Sequence, residues 1–491
     1  MPIRYLTADE VRDAERATGD LLTGGVLMRR AAHGVARVVV AELNRTGGCY
    51  GRSVCLVVGA GDNGGDALFA GAELRRRGVR VDAVLLAPDK AHVAGLAAFR
   101  AAGGRTVERP PDGPDVIVDG VVGLGGRGPL RTNAAEIFAA TGPETTVVAV
   151  DLPSGVDADT GEVHDPAVRA DITVTFGVRR RAHLLAAPQC GRVVLVDIGL
   201  GDLVDRSGGT AEPTLSSLDD DEIDWPTPGP ADDKYTQGVV GVIAGSHRYP
   251  GAAVLASGAA VTATSGMTRF VGSAHAEVVA QWPEVVATPD LADAGRVQAW
   301  VLGPGMGTDG AARATLRTVL GTDLPVLADA DALTLIARDP GLVDGRAAPT
   351  LLTPHAGEFA RLTGTELGAD RLTAVAGLAA RWGVTVLLKG RITLVADPTG
   401  HVLGNDAGSS WAATAGAGDV LSGVAGALLA AGRSPQIAGA AAARVHARAA
   451  ELASRGAPIG ASALLSALRP AIREFTTRSA RTRADTEPSA R

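Results

Sequence analysis

The chain is 491 residues long, 46% hydrophobic and 21% charged, with a formal net charge of −7. That length suggests two or three globular domains, and an acidic balance without a long basic run argues against nucleic acid as the main partner. Three cysteines without metal spacing (Cys49, Cys55, Cys190), no apolar targeting stretch at the start and no apolar run long enough for a bilayer predict a cytoplasmic protein that makes no membrane contact.

Thr7-Ala-Asp-Glu10 reads as a capping box that starts a polar helix through about Thr18, and a second helix fits Leu27 to Asn44. A β/α alternation follows. Val54–Val58 is a continuous apolar run, as a strand buried on both faces should be. Further strands fit Arg80–Leu86, Val116–Val118, Thr146–Val150, Ile172–Thr175 and Val193–Val196, with helices between several of them. This is the pattern of a parallel sheet covered on both faces.

Gly59–Gly64 matches G-x-G-x-x-G, and Asp82 lies near the place of a ribose-binding acid, so a dinucleotide-dependent dehydrogenase is one reading. Asp62 and Asp66 flank that loop, and paired carboxylates would repel a pyrophosphate. Asn63, Asp119, Asp151 and Ser154 all follow or end strands, so they should converge on one edge of the sheet. An oxygen-rich cluster of this kind suits a hard cation. A single Asp at a strand end is ordinary turn chemistry; the set together with the glycine loop is not.

Asp205 to Pro230 has prolines, Ser-Gly-Gly and the acidic run Asp219–Glu222, and reads as a linker or boundary region, placed at 208–230, with a solvated acidic face. Beyond it, strands run into polar loops at Gly238–Ser246, Trp300–Gly307, Leu324–Asp331, Thr350–Glu358 and Val384–Thr393, and Pro250 opens a small-residue helix. Thr414-Ala-Gly-Ala-Gly-Asp419 closes the set before a helix at about Val420 to Ala431. Gly416 and Gly418 let backbone N–H groups approach an anion, and Asp419 is placed to take a proton from a hydroxyl attacking a phosphate. Singly, His355 could be a helix start, Lys389 a surface charge, and Asp329 and Asp331 caps; five such loops in one unit favour a nucleotide site. Thr476–Arg491 is polar and reads as a disordered tail.

Gly61-Asp-Asn-Gly-Gly-Asp66, Val118-Asp-Gly-Val-Val-Gly-Leu-Gly125 and Asp151-Leu-Pro-Ser-Gly-Val-Asp157 resemble the N-terminal domain of NAD(P)H-hydrate epimerases. The resemblance implies a Rossmann-like three-layer αβα domain over 1–207 that interconverts the R and S epimers of hydrated NADH and NADPH. It implies potassium at Asn63, Asp119 and Ser154. It implies substrate contacts from Asp62, Asn63, Gly64, Gly65 and Asp66, from Gly123, Leu124, Gly125, Gly126, Arg127, Gly128 and Pro129, and from Asp151, which is taken as the acid/base group. The family usually has Asn and Gly where this chain has Asp62 and Ala67.

Pro250-Gly-Ala-Ala, Gly303-Pro-Gly-Met-Gly307, Thr353-Pro-His-Ala-Gly-Glu358, Lys389-Gly-Arg-Ile-Thr393 and Gly416-Ala-Gly-Asp419 resemble the ribokinase-like family, in its ADP/ATP-dependent NAD(P)H-hydrate dehydratase branch. That implies a second αβα domain over 231–475. Ala252, Gly307, His355 and Asp419 would hold the hydrated substrate, with Asp419 catalytic. Lys389, Gly390, Arg391, Ile392, Thr393 and Gly418 would hold the adenine nucleotide, with magnesium and with ADP as co-substrate. The joint expectation is a bifunctional α/β repair enzyme and a homo-oligomer. It would epimerise NAD(P)H hydrate and dehydrate the S form to NAD(P)H, giving AMP and phosphate. The alternatives are a sugar or vitamin kinase fused to a nucleotide-binding domain, and a non-catalytic scaffold in the first half.

Overall fold

The computed structural model describes residues 2–200 and 213–486, with side chains through 478. The chain forms two compact units, one within Arg4–Ala211 and one within Glu212–Arg491. The first strand is β1 (Ile3–Leu6), of which Arg4–Leu6 belong to the N-terminal unit. The expected capping box is present: Glu10 N–H donates to Thr7 Oγ1 at 3.1 Å and Thr7 N–H to Glu10 Oε2 at 2.8 Å, starting the helix Ala8–Ala17. A long helix, Val26–Arg45, precedes the sheet.

That sheet contains β2 (Ser53–Val58), β3 (Arg80–Leu85), β4 (Arg105–Val107), β5 (Val116–Gly120), β6 (Thr146–Val150), β7 (Ile172–Phe176) and, after the two-residue β8 (Arg179–Arg180), β9 (Arg192–Val196). Its order is β4-β3-β2-β5-β6-β7-β9, all parallel; β8 instead pairs with β1. The chain moves outward from β2 to β4, then returns to the other side of β2 with β5. The topological switch therefore lies between β2 and β5, where a crevice opens at the strands' carboxyl ends. Asp82 is not there. It is 1% exposed on β3, with an ion pair to Arg105 at 2.7 Å and another to Arg80, so the expected place of a ribose-binding acid holds a buried structural carboxylate. Ala67 is accommodated by a glycine opposite: a methyl at Gly120 would lie 2.6 Å from the Ala67 Cβ.

In the C-terminal unit β10 (Thr214–Ser217) is followed by β11 (Val239–Ile243), β12 (Met267–Val271), β13 (Val286–Thr288), β14 (Ala299–Leu302), β15 (Val326–Ala328), β16 (Thr350–Leu352), β17 (Thr385–Leu388), β18 (Ile392–Ala396) and β19 (His401–Asp406). They run in the order β13-β12-β11-β14-β15-β16-β17-β18-β19-β10. The strands from β13 to β17 are parallel, while β18 is antiparallel to both its neighbours. Again the chain reverses direction beside its first long strand, between β11 and β14. With 3% aromatic residues the core rests on small side chains and close helix approach. The helices Pro250–Ala263 and Ala417–Ala430 touch so closely that a methyl at Gly423 would collide with the Ala256 carbonyl oxygen.

Two segments read from sequence as unstructured belong to this unit. Within the expected linker, β10 pairs with β19, and Ile223 and Trp225 are buried in the core. The acidic run is not a bare solvated face, because Asp220 bonds Arg444 at 2.7 Å and Arg478 at 2.6 Å. Arg478 lies in the expected tail, where the helix Ala461–Thr486 continues; neither Gly nor Pro interrupts it from Thr476 onward. The parts of those expectations at 205–212 and 487–491 lie outside the described residues.

Candidate active sites of the two units

The loop after β2 and the loop after β5 frame a cavity of about 790 Å³ at the N-terminal switch point. Asp62, Asn63, Asp66, the whole of Gly123–Pro129 and Asp151 line it. Gly64 and Gly65 do not. They are buried in the first turn of the helix Asp62–Arg76, where a side chain on Gly65 would meet His92.

Asp119 and Ser154 form a knot beneath the cavity. Asp119 is 1% exposed and accepts from Ser154 N–H and Oγ–H, both at 2.7 Å, and from Val121 N–H at 3.2 Å. Burial pushes its pKa up to about 6, against the hydrogen bonds from Ser154 and Val121. Asn63 donates to the Val150 carbonyl at 2.6 Å and touches the place where a Gly123 side chain would stand, so it joins the same strand ends.

Asp151 directly follows β6, with φ +65°. For a residue with a side chain that conformation is strained and is kept only where its surroundings enforce it. The enforcement is visible. Arg180 approaches Asp151 Oδ1 at 3.0 Å, and Thr175 Oγ1 donates to the same oxygen at 3.0 Å. His183 accepts the Arg180 N–H on Nδ1, which leaves Nε2–H to donate to the Asp151 carbonyl at 2.7 Å. Burial pushes the His183 pKa down to about 4, so the ring is a neutral brace. Thr175, Arg180 and His183 were not anticipated. The signal was Arg179-Arg180-Arg181-Ala-His183 immediately after a buried strand, where a cation needs a buried partner.

In the C-terminal unit a cavity of about 530 Å³ opens beside the carboxyl ends of β15, β16 and β17. His355, Lys389, Gly390, Arg391, Thr393, Gly418 and Asp419 line it. Ile392 does not, since it begins β18 and turns its side chain into the core. Ala252 and Gly307 also lie outside this cavity, along the same row of strand ends near β11 and β14. A methyl at Gly305 would sit 3.1 Å from the Ala252 Cβ, and Gly307 N–H donates to Asp331 Oδ2 at 2.9 Å.

Asp419 is the third residue of the helix Ala417–Ala430. Gly416 precedes the helix at φ +85°, where a methyl would press on Leu255 at 2.6 Å. At Gly418 a methyl would fit, 3.6 Å from Lys389 Nζ. Lys389 Nζ bonds Asp329 Oδ1 at 2.6 Å and lies 3.5 Å from Glu358 Oε2. The other Asp329 oxygen accepts from Ser422 Oγ at 2.8 Å. Lys389 is thus committed to two carboxylates, and Asp419 makes no ion pair among the described residues. Burial first, then the charge of Asp329, raise its pKa to about 7, against a smaller lowering by Lys389. His355 caps the helix Ala356–Thr363 through Nδ1, accepting from Gly357 N–H at 3.0 Å, and still faces the cavity. His446, also unanticipated, donates from Nε2 to the Ala417 carbonyl at 2.9 Å and steadies the glycine-led helix start; burial lowers its pKa to about 4.

No helix among the described residues is long and apolar enough to cross a membrane. Residues 24–182 match the family model described as YjeF-related protein N-terminus, and 240–470 match the model described as NAD(P)H-hydrate dehydratase. A bifunctional NAD(P)H-hydrate repair enzyme of Mycobacterium tuberculosis is 59% identical over 87% of this chain and 89% of its own length. The enzyme of that name from Mycobacterium leprae is 56% identical over 95% of this chain and 99% of its own. An ADP/ATP-dependent NAD(P)H-hydrate dehydratase of Bacillus subtilis, co-crystallised with ATP and Mg2+, is 27% identical, covers 54% of this chain and 100% of that one, and has a TM-score of 0.48. The chain belongs to the family of bifunctional NAD(P)H-hydrate repair enzymes.

Proposed function

We propose that the N-terminal cavity exchanges the R and S epimers of hydrated NADH and NADPH, and that the C-terminal cavity dehydrates the S epimer at the expense of ADP. The observation that carries the second half is Asp419: a carboxyl with proton affinity tuned near neutrality, without an ion-pair partner among the described residues, one residue from a glycine whose open face looks onto Lys389. Such a group can take the proton of the substrate hydroxyl as its oxygen attacks the terminal phosphorus of ADP. AMP leaves, and the hydroxyl has become a phosphate ester. The ring nitrogen's lone pair then expels phosphate, a far better leaving group than hydroxide; loss of a neighbouring ring proton restores the dihydronicotinamide. The N–H groups at the start of the helix Ala417–Ala430 and the Lys389 ammonium stabilise charge on the transferred phosphoryl group. Ala252, Gly307 and His355 would shape the substrate end of the row, and Gly390, Arg391 and Thr393 the nucleotide end.

Among the described residues no three His, Cys, Asp or Glu side chains form a group that could hold a metal. Magnesium therefore fits here as an ion carried on the nucleotide's phosphates rather than in an all-protein cage. The potassium expectation fits the N-terminal unit better. Asp119 is a buried carboxyl without a cationic partner among the described residues, Ser154 adds a neutral oxygen beside it, and Asn63 bonds the neighbouring strand end at Val150. A monovalent cation there would offset the buried charge and hold the Gly123–Pro129 loop against the β2 end.

The test is incubation of the full chain with separated S and R epimers, with and without ADP, following recovery of dihydronicotinamide absorbance. Recovery from S that needs ADP, and from R at a rate above spontaneous epimerisation, is the expected result. Consumption of nucleotide with no recovery from S would instead favour a kinase for another alcohol.

A further inference from the structure

The N-terminal cavity holds more carboxyl groups than one acid/base residue requires. Asp62, Asp66, Asp151 and Glu15 line it, with Arg12, Arg127, Arg131 and Arg180, and neither Arg127 nor Arg131 bonds the buried Asp66 Oδ1 among the described residues. Arg180 is already committed. Besides Asp151 it bonds the carbonyls of Val178 at 2.6 Å and Phe176 at 3.3 Å. Arg12 bonds Asp9 at 2.7 Å and the Leu124 carbonyl at 3.1 Å. Asp66 has no such company. Its residue is 6% exposed, and its Oδ1 is buried with no hydrogen-bond partner among the described residues. It is the fifth residue of the helix Asp62–Arg76, past the unbonded N–H groups of the first turn that could have solvated a carboxylate. As an anion it would be bare and buried; as a carboxylic acid it needs no counter-charge. Burial, and then the charges of Asp151, Asp62 and Glu15, hold its pKa well above the ordinary carboxyl range. His92, at the start of the helix Val93–Ala101, lies against Gly65 and accepts Gly95 N–H at 3.0 Å on Nδ1.

One cavity therefore contains an ion-paired carboxylate and a neutral carboxyl. Two carboxyls in one cavity, one beside a guanidinium and one buried without a partner among the described residues, are equipped for opposite proton-transfer roles. We propose that Asp66 is a second proton-transfer residue of the N-terminal site, giving a proton to the hydroxyl that leaves the hydrated ring carbon while Asp151 takes one from the water that replaces it. The proposal rests on reading this site as the epimerase. In the forward direction the Asp66 proton moves to the ring hydroxyl oxygen. The C–O bond breaks with its electron pair on oxygen, and water departs. The lone pair of the adjacent ring nitrogen forms the C=N bond of an iminium. Water then adds to the opposite face, the nitrogen recovers its pair, and the surplus proton goes to Asp151. Nothing is oxidised or reduced. The reverse reaction exchanges the two roles, and solvent returns the proton between turnovers in one direction.

The experiment uses the full chain with ADP withheld, so that the second site does not consume the S epimer. R-to-S exchange is followed chromatographically between about pH 6 and pH 9, together with uptake of oxygen-18 from labelled water into the substrate. Asp66→Asn keeps the shape but cannot transfer a proton. It should lower kcat by about 10²- to 10⁴-fold with KM changed less than about threefold, and abolish the loss of activity that the wild type shows as pH rises through the Asp66 titration. Asp66→Glu should recover part of the rate. Denaturant titration of the N-terminal unit in the same preparations, unchanged from the wild type or more stable, reports that this unit is folded. A wild-type chain that does not exchange epimers at all overturns the epimerase reading, and this proposal with it. A wild-type chain that exchanges them, while Asp66→Asn keeps its kcat and pH profile or loses only KM, overturns the role of Asp66 alone. Exchange without oxygen-18 uptake likewise rules out the departure of water.

Discussion

The sharpest test of the C-terminal chemistry is the pH dependence of dehydration. With a pKa of about 7, Asp419 is roughly one-eleventh ionised at pH 6 and ten-elevenths at pH 8. If its carboxylate accepts the substrate proton, the single-turnover rate with saturating S epimer and ADP should rise about tenfold over that interval and then level. Asp329 is the neighbouring charge that raises Asp419, so Asp329→Asn should move the rising limb to lower pH even as it weakens the Lys389 anchor. Asp419→Asn should remove the limb and most of the rate. The same shift bears on stability. A carboxyl whose folded-state pKa lies above its unfolded value stabilises the fold most at low pH, and that contribution is lost as pH rises toward the folded pKa. The gap between 3.8 and about 7 corresponds to roughly 4 kcal/mol. Asp419→Asn should therefore raise the thermal midpoint of the C-terminal unit near pH 8 and change it little near pH 4. A flat single-turnover rate across this range, or an Asp419→Asn chain that keeps the limb, refutes the assignment.

Three further outcomes follow from the geometry. Arg180→Met leaves Asp151 buried without its cation; it should cost the N-terminal unit about 3–5 kcal/mol in denaturant titration and abolish epimer exchange while ADP-dependent dehydration persists. Potassium should raise the thermal midpoint and exchange rate of the wild type, lose apparent affinity as pH falls below about 6, where Asp119 takes up a proton, and have no effect on Asp119→Asn. Gly416→Ala and Gly418→Ala should separate folding from binding. The first forces a side chain into φ +85° against Leu255 and should lower stability, whereas the second fits sterically but covers the anion-facing backbone and should raise KM for ADP at unchanged midpoint.

Much of this was legible in the sequence because parallel strands buried on both faces read as plain apolar runs. The runs at Val54, Val116, Thr146 and Ile172 each became a strand within two residues of the expected ends. The strands that went unread, β1, β4, β8, β10, β12, β13, β18 and β19, are short or carry polar or charged residues such as Arg105, Arg269, Thr393 and Asn405, which break the apolar signal. Loops after strands delivered the lining residues for the same topological reason. What could not be read was pairing over distance. Arg180 and Asp151, or Asp220 with Arg444 and Arg478, are far apart in the chain, and nothing local in either segment names its partner. The linker expectation failed for a related reason: Ile223 and Trp225 are too few to show a period, yet both reach the core.

The two aspartates show why an ion pair does not by itself mark the proton acceptor. Asp151 is gripped by a buried arginine, a threonine hydroxyl and a histidine that fixes its strained backbone. A carboxylate held so firmly is fixed in place for the proton it accepts from water, and Asp66 supplies the proton donor in the same cavity. Asp419 has the opposite arrangement. Its nearby cation is spent on Asp329 and Glu358, so the base keeps the affinity it needs near neutral pH. Moving Lys389 from Asp329 to Asp419 would stabilise the carboxylate and blunt it as a base. Ser422 and the N–H of Ala330 hold Asp329 in place against that exchange, and Ala330, like Asp151, is kept at positive φ beside its cavity. In both units backbone strain is stored at or beside a carboxylate that an ion pair holds in place, which is where fixed geometry has the largest effect on proton transfer.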